Sequence, residues 1–411
     1  QIMSNHKTPS IRFKGFTDDW EQRKLGNVIE IAYQGINTTA DKVEYVSEGV
    51  PILQGKHITS GKIDYKDVRY LDKEKYESVY YPKYVPKVND ILLANIGTIG
   101  PLVVMKPGVE LLIAWNIMLI RLNKMGDVKF VKVFLDKLNN SNFYESIMRG
   151  NATKFINKDG IMSIEIPYPT ICEQEKIGAW FEQLDNLITL HQRKYEKLVN
   201  VKKSMLDKMF PKNDFKVPEI RFKGFTDDWE QRKLGDVVSV YDGVHQTPDY
   251  KDNGIMFLSV ENIATLRSEK YISEEAFKRD YKIYPQKGDI LMTRIGDVGT
   301  PNVVETSEKV AFYVSLALLK PSCIDSYFLC NAIQSPLFQK GLKDRTLVTA
   351  IPQKINKDEI GKVDLILPVS TEEQTAIGEY FKNLDHLITL HQRELEKLQN
   401  LKKSLLNSMF I

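Results

Sequence analysis

The stretch IRFKGFTDDWEQRKLG occupies Ile11–Gly26, and the same sixteen letters return unchanged at Ile220–Gly235. A second pair is nearly as similar: LDNLITLHQRKYEKLVNVKKSMLDKMF at Leu184–Phe210 and LDHLITLHQRELEKLQNLKKSLLNSMF at Leu384–Phe410. The first pair is 209 positions apart and the second 200, so the second half is nine residues shorter between the repeated stretches. An internal repeat on this scale governs the architecture of a chain. The sequence is therefore interpreted as two tandem copies, about residues 3–210 and 211–411.

Each copy has a fixed opening, a variable middle of about 145 residues and a fixed ending. The two copies meet at residues 211–218, which read PKNDFKVP. This segment is short and polar, and it has a proline at each end. Such a composition predicts a linker.

The fixed ending of each copy predicts a long amphipathic helix. Core-type residues recur every seven positions, a second set follows four positions further on, and Lys, Glu and Gln lie between them, as in a coiled-coil seam. A helix from about residue 173 to 209 would be roughly 55 Å long at ~1.5 Å per residue. An apolar stripe of that length must be covered by another element, so we expect the two helices to pack on each other as an antiparallel coiled coil. The predicted seam residues are Leu184, Ile188, His191, Tyr195, Leu198, Met205 and Met209 in the first copy, and Leu384, Ile388, His391, Leu395, Leu398, Leu405 and Met409 in the second.

The two middles share a pattern of short strands but differ in the residues placed on it. NDILLANIGTIG at Asn89–Gly100 corresponds to GDILMTRIGDVG at Gly288–Gly299, and NATKFINKDGI at Asn151–Ile161 corresponds to TAIPQKINKDEI at Thr349–Ile360. Two modules of one fold with different surfaces are suited to binding two different targets. The predicted strands are Ile52–Gln54, Ile91–Ala94, Val103–Met105 and Leu111–Leu119, with counterparts Met256–Val260, Ile290–Thr293, Asn302–Glu305 and Val310–Leu319.

Composition sets wide limits on function. Apolar residues make up 42% of the 411 positions, the formal net charge is +3, and no run of eighteen apolar residues occurs. The sequence therefore predicts no membrane-spanning segment, and its charge is only a mild hint of an anionic partner. Three cysteines, Cys172, Cys323 and Cys330, are too few and too scattered for a disulfide framework or a zinc site. This usage favours the cytoplasm.

The order of these motifs resembles that of the DNA specificity subunit of Type I restriction–modification systems. The resemblance covers essentially the whole chain and rests on three duplicated marks: F…W…KLG at the start of each half, GDIL…R.G..G in each middle, and I..P.P…EQ..I before each long helix. The last mark stands at Ile164–Gln174 and Leu365–Gln374. Three positions depart from the pattern: Asn89, Asn95 and Ser370. These departures bear on individual contacts rather than on the family.

The resemblance implies an α+β chain in which two mixed α/β target recognition domains are joined by two long helices. The implied segments are residues 1–172 and 211–371 for the recognition domains and 173–210 and 372–411 for the helical regions. The implied partners are double-stranded DNA, two methyltransferase subunits and the restriction/translocase subunits. The chain itself would carry no catalytic residue and no cofactor, because S-adenosylmethionine, ATP and Mg²⁺ would be bound by the partner subunits. The DNA site would be asymmetric and bipartite, with an unspecified gap set by the coiled coil.

The motifs of catalytic proteins fit this chain poorly. Amino-methyltransferases carry a motif that contains a Pro-Pro dipeptide, and this sequence has no Pro-Pro dipeptide. The stretches IGTIG (Ile96–Gly100) and IGDVG (Ile295–Gly299) lack the full phosphate-loop pattern, so a turn that brings backbone close to DNA is favoured. Pro248–Lys251 has a nuclease-like composition, but a solvated turn explains it better. His191 and His391 are predicted as seam residues rather than metal ligands, and no metal site is predicted.

Two other functions remain as alternatives. The chain could be the recognition portion of a stand-alone fused methyltransferase–nuclease, although two recognition copies leave no length for catalytic domains. It could also be a coiled-coil scaffold without nucleic acid, which would not need two divergent middles.

Candidate DNA-binding residues are polar groups in the loops of the two middles. Base edges are read by Arg, Lys, Asn, Gln, Ser and Thr on a frame of phosphate contacts. Arg294 is the foremost candidate, because arginine binds guanine O6 and N7 with two hydrogen bonds. Lys56 and Lys154 are predicted phosphate anchors. The full set is Gln34, Asn37, Gln54, Lys56, His57, Asn95, Thr98, Asn151, Thr153 and Lys154 in the first middle, and His245, Gln246, Thr247, Ser259, Asn262, Thr293, Arg294, Thr349, Gln353 and Lys354 in the second.

Overall fold

The computed structural model describes residues 8–59, 61–212 and 215–410. Asn213 and Asp214, within the predicted linker, lie outside the described residues. The described residues form two compact units: the first contains those of 8–190 and 394–410, and the second contains those of 191–393. Both long helices contribute to both units. The division into units therefore differs from the four segments predicted along the sequence.

The first unit is built around a four-stranded antiparallel sheet in the order β2-β10-β7-β8. A three-stranded sheet, β6-β3-β9, and the pairs β1-β11 and β4-β5 accompany it. The strands are β1 (Glu21–Lys24), β2 (Ile29–Gln34), β3 (Val50–Leu53), β4 (Ile58–Thr59), β5 (Lys62–Ile63), β6 (Arg69–Leu71), β7 (Ile91–Ile96), β8 (Thr98–Val104), β9 (Leu112–Ile113), β10 (Ile117–Leu122) and β11 (Glu165–Tyr168). The helices are α1 (Lys73–Lys75), α2 (Val128–Asn140), α3 (Tyr144–Ile147), α4 (Lys158–Met162) and the long α5 (Ile171–Lys208).

The second unit repeats this plan with the sheets β13-β19-β16-β17, β15-β14-β18 and β12-β20. Its strands are β12 (Glu230–Lys233), β13 (Val238–Asp242), β14 (Ile255–Leu258), β15 (Tyr271–Ile272), β16 (Ile290–Thr293), β17 (Pro301–Val303), β18 (Val310–Phe312), β19 (Leu316–Pro321) and β20 (Asp364–Leu367). Its helices are α6 (Glu274–Asp280), α7 (Ser326–Gln334), α8 (Pro336–Arg345), α9 (Lys357–Gly361) and the long α10 (Thr371–Ser408).

One strand prediction is wrong in both units. The apolar runs Leu111–Leu119 and Val310–Leu319 were each predicted as a single strand, but each forms two strands in different sheets, β9 with β10 and β18 with β19. The chain turns between them, and the amide of Trp115 donates to Ile36 O at 2.8 Å. An uninterrupted apolar run is compatible with either arrangement, because residues buried on both sides of a turn have no period.

The repeated opening stretch has the same structural role in each unit. In the first, Arg12 makes two hydrogen bonds of 2.6 and 2.8 Å to the buried Glu173 of α5, and Trp20 Nε1 donates to the same carboxylate. The amide of Ile11 donates to Ser408 O at the end of α10. In the second unit the equivalent contacts are Arg221 and Trp229 to Glu373 of α10, and Ile220 N to Lys208 O of α5. Each opening stretch thus fixes the start of one long helix and the end of the other.

Each unit also buries an aromatic residue from the end of a long helix. Phe410 lies in the core of the first unit, with its ring centroid 5.4 Å from that of Phe130 and 6.3 Å from that of Trp20. Phe210 occupies the equivalent place in the second unit, 5.7 Å from Phe328 and 6.1 Å from Trp229.

The long helices pack antiparallel within both units. Asp185 of α5 pairs with Lys402 of α10 at 2.6 Å in the first unit. In the second unit Lys202 of α5 pairs with Asp385 of α10 at 2.6 Å, and the Nδ1 atoms of His191 and His391 are 3.1 Å apart. Every predicted seam residue is buried or half-buried. Each helix has 38 residues, roughly 57 Å at ~1.5 Å per residue. Among the described residues, no helix contains the continuous apolar stretch that a membrane-spanning segment needs.

Candidate nucleic-acid interface

One edge of the four-stranded sheet in the first unit collects the loops that carry the candidate residues. Strands β2 and β7 end at this edge with Gln34 and Ile96, and β8 and β10 begin at it with Thr98 and Ile117. Antiparallel pairing in the order β2-β10-β7-β8 places these four ends together. We call this edge, with the loops attached to it, the reading edge of the first unit.

The loop before α4 is attached to the reading edge through backbone hydrogen bonds. Gly97 N donates to Lys154 O at 3.1 Å, and Ile156 N donates to Asn95 O at 2.9 Å. Arg149 and Phe155 form a bridge that closes the loop at its base. The side chains of Thr98, Asn151, Thr153 and Lys154 are all exposed here.

Asn116 joins the remaining loops to the same edge. Its Oδ1 accepts from Gly55 N at 3.2 Å, which holds the turn from Gln54 to His57, and its backbone carbonyl accepts from Asn95 N. Gln34 Nε2 donates to the carbonyl of the neighbouring Trp115 at 3.0 Å. Trp115 is 43% exposed although it is flanked by buried strands. Sequence reasoning missed Trp115 and Asn116 because they stand inside an apolar run that was assigned to one strand.

The second unit has an equivalent reading edge, formed by the ends of β13 and β16 and the starts of β17 and β19. Ser315 takes the place of Asn116, since its Oγ accepts from Val260 N at 3.1 Å and its carbonyl accepts from Arg294 N. Gly296 N donates to Gln353 O at 2.8 Å, as Gly97 does to Lys154. The exposed candidates at this edge are His245, Gln246, Thr247, Thr349, Gln353 and Lys354, whereas Ser259 and Asn262 are half-buried.

Two of the predicted base-reading side chains lie at equivalent positions inside the protein. Arg294 is 5% exposed, donates through Nε to Ile355 O at 3.1 Å and forms an ion pair with Asp242. Asn95 is fully buried and donates to Ile156 O at 2.9 Å. The expectation that these residues contact bases does not fit these positions. In each unit this side chain ties the loop before the short helix to the end of the central strand.

Thr293 and His57 are also interior residues rather than exposed contacts. Thr293 Oγ1 accepts from Thr300 N at 2.9 Å. His57 Nδ1 accepts from Gln54 N at 3.0 Å, and burial, assisted by the charge of the exposed Lys56, lowers the pKa of its imidazole. A neutral His57 is therefore part of the turn that presents Gln54 and Lys56.

The glycine-rich stretches are tight turns of the reading edges. Gly97 and Gly296 have positive φ values of 73° and 83°, and Gly97 lies in the turn that joins β7 to β8. A phosphate loop instead joins a strand to the N-terminus of a helix. Asp249 forms an ion pair with Lys251, and both side chains are exposed, as expected for a solvated turn. Among the described residues, no group of three or more His, Cys, Asp or Glu side chains has a metal-binding arrangement.

A sequence profile described as the Type I restriction modification DNA specificity domain matches residues 17–200 and again residues 226–400. This chain belongs to the Type I DNA specificity family. The MjaVIII specificity subunit of a Type I restriction enzyme from Methanocaldococcus jannaschii is 26% identical in an alignment of 411 positions that covers 95% of this chain and 92% of the relative. The putative MjaX specificity subunit from the same organism is 25% identical in an alignment of 418 positions, with the same shares covered.

A solved structure supports the fold of this Type I specificity protein. The S subunit of a Type-I restriction-modification system from M. genitalium has a TM-score of 0.70 at 15% identity, and the match covers 98% of this chain and 99% of that one. The two matched profile segments coincide with the two copies seen in the sequence. The predicted family and fold class are thereby confirmed, with two mixed α/β domains and two long helices that pack antiparallel.

Proposed function

We propose that this specificity subunit reads an asymmetric, bipartite site in double-stranded DNA, one half-site per unit. The observation that carries this proposal is the pair of reading edges. In each unit the same sheet edge gathers exposed polar side chains, and those side chains differ between the units. A shared frame with different hydrogen-bonding groups suits the recognition of two unlike base sequences. In this proposal each unit binds double-stranded DNA, which places the chain in the cytoplasm.

The proposal includes two copies of one partner, the methyltransferase subunit, docked at duplicated surfaces. The opening stretches are identical even at exposed positions, such as Lys14, Asp18 and Asp19 and their counterparts. Each unit also exposes two leucines of a long helix, Leu187 and Leu190 in the first and Leu387 and Leu390 in the second, at 42–46%. Two identical surfaces are expected to bind two copies of the same partner. Exposed apolar side chains on a polar surface are typical of interaction sites.

Chemistry is assigned to the partners in this proposal. S-adenosylmethionine would be bound by the methyltransferase subunits, and ATP with Mg²⁺ by the restriction/translocase subunits. The role of this chain would be to position those subunits on a chosen sequence, so it is proposed to be non-catalytic.

The experiment that tests the reading of DNA is methylome sequencing of cells with and without this gene. The expected result is an asymmetric motif of two half-sites that disappears with the gene. Replacing residues 27–165 with the corresponding segment of a relative should then change one half-site and leave the other intact. A simultaneous change in both half-sites would contradict the assignment of one half-site to each unit.

Docking is tested by introducing a charge into each leucine pair separately. Leu187→Arg and Leu387→Arg should each reduce the number of bound methyltransferase subunits from two to one, measured by native mass spectrometry of the assembled complex. Val199→Arg, an exposed apolar position of α5 outside the duplicated pairs, is the control. Full assembly of both leucine variants would remove this surface from the proposal.

A further inference from the structure

The loop from Leu347 to Lys354 in the second unit exposes apolar side chains at the reading edge. Leu347 is 45% exposed, Val348 65% and Ile351 100%. The base of the loop is held firmly: Leu347 N donates to Lys354 O at 2.8 Å, and Ile355 N donates to Arg294 O at 3.0 Å. Gln353 Nε2 also donates to Gly296 O at 3.0 Å. We call the three exposed residues, Leu347, Val348 and Ile351, the apolar tip.

The equivalent loop of the first unit has the same attachment but a polar tip. Its residues from Arg149 to Phe155 read RGNATKF, against LVTAIPQK at Leu347–Lys354. The bridge Arg149–Phe155 corresponds to the bridge Leu347–Lys354. The side chains differ along the whole loop, and at the tip the first unit exposes Asn151 and Thr153 where the second exposes Val348 and Ile351. The fold therefore does not require an apolar tip, and its presence in one unit calls for a separate explanation.

The apolar tip is surrounded in sequence by positive charge. Residues 340–357 contain five cationic side chains and one carboxylate, although Asp358 and Glu359 follow directly and Lys357 forms an ion pair with Asp358 at 3.9 Å. Lys343, Lys354 and Lys357 are exposed. Cations on both flanks suit the two rows of phosphates that border a DNA groove. A tip between them would face the groove floor, where the bases are.

The asymmetry of the tip also argues for DNA over a protein partner. A partner that docks twice would use surfaces that are the same in both units, as the opening stretches are. The tip differs between the two units, and a difference between the units is what two unlike half-sites require. The apolar group that base edges offer in the major groove is the 5-methyl of thymine, with which aliphatic side chains make specific contacts.

We propose that the apolar tip of the second unit enters the major groove and packs against thymine methyl groups of its half-site. The first unit, with Arg149, Asn151, Thr153 and Lys154 at the same place, reads its half-site through hydrogen bonds instead. This inference rests on the proposed function, because it assumes that the reading edges face DNA. It adds the chemical class of the contact: a methyl group rather than a donor or an acceptor.

The test uses the full chain and the duplex that it enriches from a random-sequence library. Each thymine of the second half-site is replaced by uracil, which removes only the methyl group. At one or more positions this should weaken binding of the wild type about three- to fivefold, the effect of losing one buried methyl. Ile351→Ser should weaken binding to the thymine duplex to a similar extent and should be insensitive to uracil at that position. Ile351→Leu should retain the discrimination.

Val348→Ser and Val369→Ser form a matched pair of controls, because Val348 is 65% exposed in the tip and Val369 is 62% exposed outside it. Only Val348→Ser should reduce the preference for thymine over uracil. A second half-site without thymine, or equal uracil effects in the wild type and Ile351→Ser, would overturn this inference alone. Failure to enrich any sequence would overturn the proposed function, and the inference with it.

Discussion

Arg294 and Asn95 are residue types that can bind DNA bases, but both side chains bind the backbone of the protein itself. They occupy equivalent positions at the ends of β16 and β7, and each donates to the carbonyl of an isoleucine in the loop before the short helix α9 or α4. From the sequence, arginine in a polar loop favoured guanine recognition. Arg294 is instead buried, and its burial depends on a loop about sixty residues further along the chain. A local pattern does not contain that contact.

Replacing Arg294 should therefore affect stability first. Arg294→Ala leaves Ile355 O and the Asp242 carboxylate without their partner, and an unsatisfied buried polar group costs about 1–3 kcal/mol. The double variant Arg294→Asn with Asp242→Gln reproduces the residues of the first unit, Asn95 and Gln34, and should recover part of the loss. Urea unfolding followed by circular dichroism measures both. Unchanged stability together with an altered base preference would mean that Arg294 reads DNA.

Lys154 is an exposed cation of the first reading edge and should act on phosphate. Lys154→Ala should weaken binding to all sequences and reduce the slope of log affinity against log salt by about one. Lys106, exposed beyond the opposite end of β8, provides the control, and Lys106→Ala should leave the slope unchanged. A change of base preference in Lys154→Ala would contradict a pure phosphate contact.

The long helices were the elements most readily predicted, because a seven-residue period persists through each and Gly and Pro are absent from their later turns. They begin at Ile171 and Thr371, within two residues of the predicted boundaries. The reading edges were harder to predict. Many of their polar residues were predicted individually from the composition of the loops. That these residues lie at one edge depends on the strand order β2-β10-β7-β8, which local sequence patterns do not specify.

The histidine pair should make the helix packing sensitive to pH. The pKa of His391 is lowered, first by burial and then by the charges of His191 and Lys194. Protonation is therefore less favourable in the folded chain than in the unfolded one, and stability falls as pH drops below the ordinary value of 6.5. Relative to His391→Gln, the wild type should lose thermal stability between about pH 7.5 and 5.5.

The measurement is the melting temperature of both proteins across this range, with His245→Gln at an exposed loop position as a control. That control should follow the wild-type profile. A constant difference in melting temperature between the wild type and His391→Gln would mean that the pair does not contribute to pH dependence.

The aromatic residues at the ends of the long helices should each stabilise a different unit. Phe410→Ala removes a ring that contacts Trp20, Phe130 and Phe181, and should destabilise the first unit by about 3–5 kcal/mol. Phe210→Ala should do the same in the second unit. Hydrogen exchange measured peptide by peptide separates the two effects. Equal loss of protection in both units from either single variant would contradict this assignment.

For the whole molecule, the long helices are expected to determine the gap between the half-sites. Inserting one heptad into both α5 and α10 preserves the seam and adds roughly 10 Å at ~1.5 Å per residue. This is about three base pairs at a rise of ~3.4 Å. The preferred gap should grow by a few base pairs while both half-sites stay the same. Selection from a library of gap lengths provides the measurement, and recovery of the original gap at full affinity would show that another feature sets it.

The assembly of the first unit from both ends of the chain has a consequence for biosynthesis. The second unit is continuous in sequence, whereas the first needs residues 394–411 to fill its core with Met409 and Phe410. Domains on a ribosome ordinarily fold in the order in which they emerge. Here the unit whose residues are mostly translated first is completed only after Met409 and Phe410 have been synthesised. A nonsense mutation or a proteolytic nick shortly before Met409 would therefore damage the first unit, although most of its residues lie far earlier in the chain.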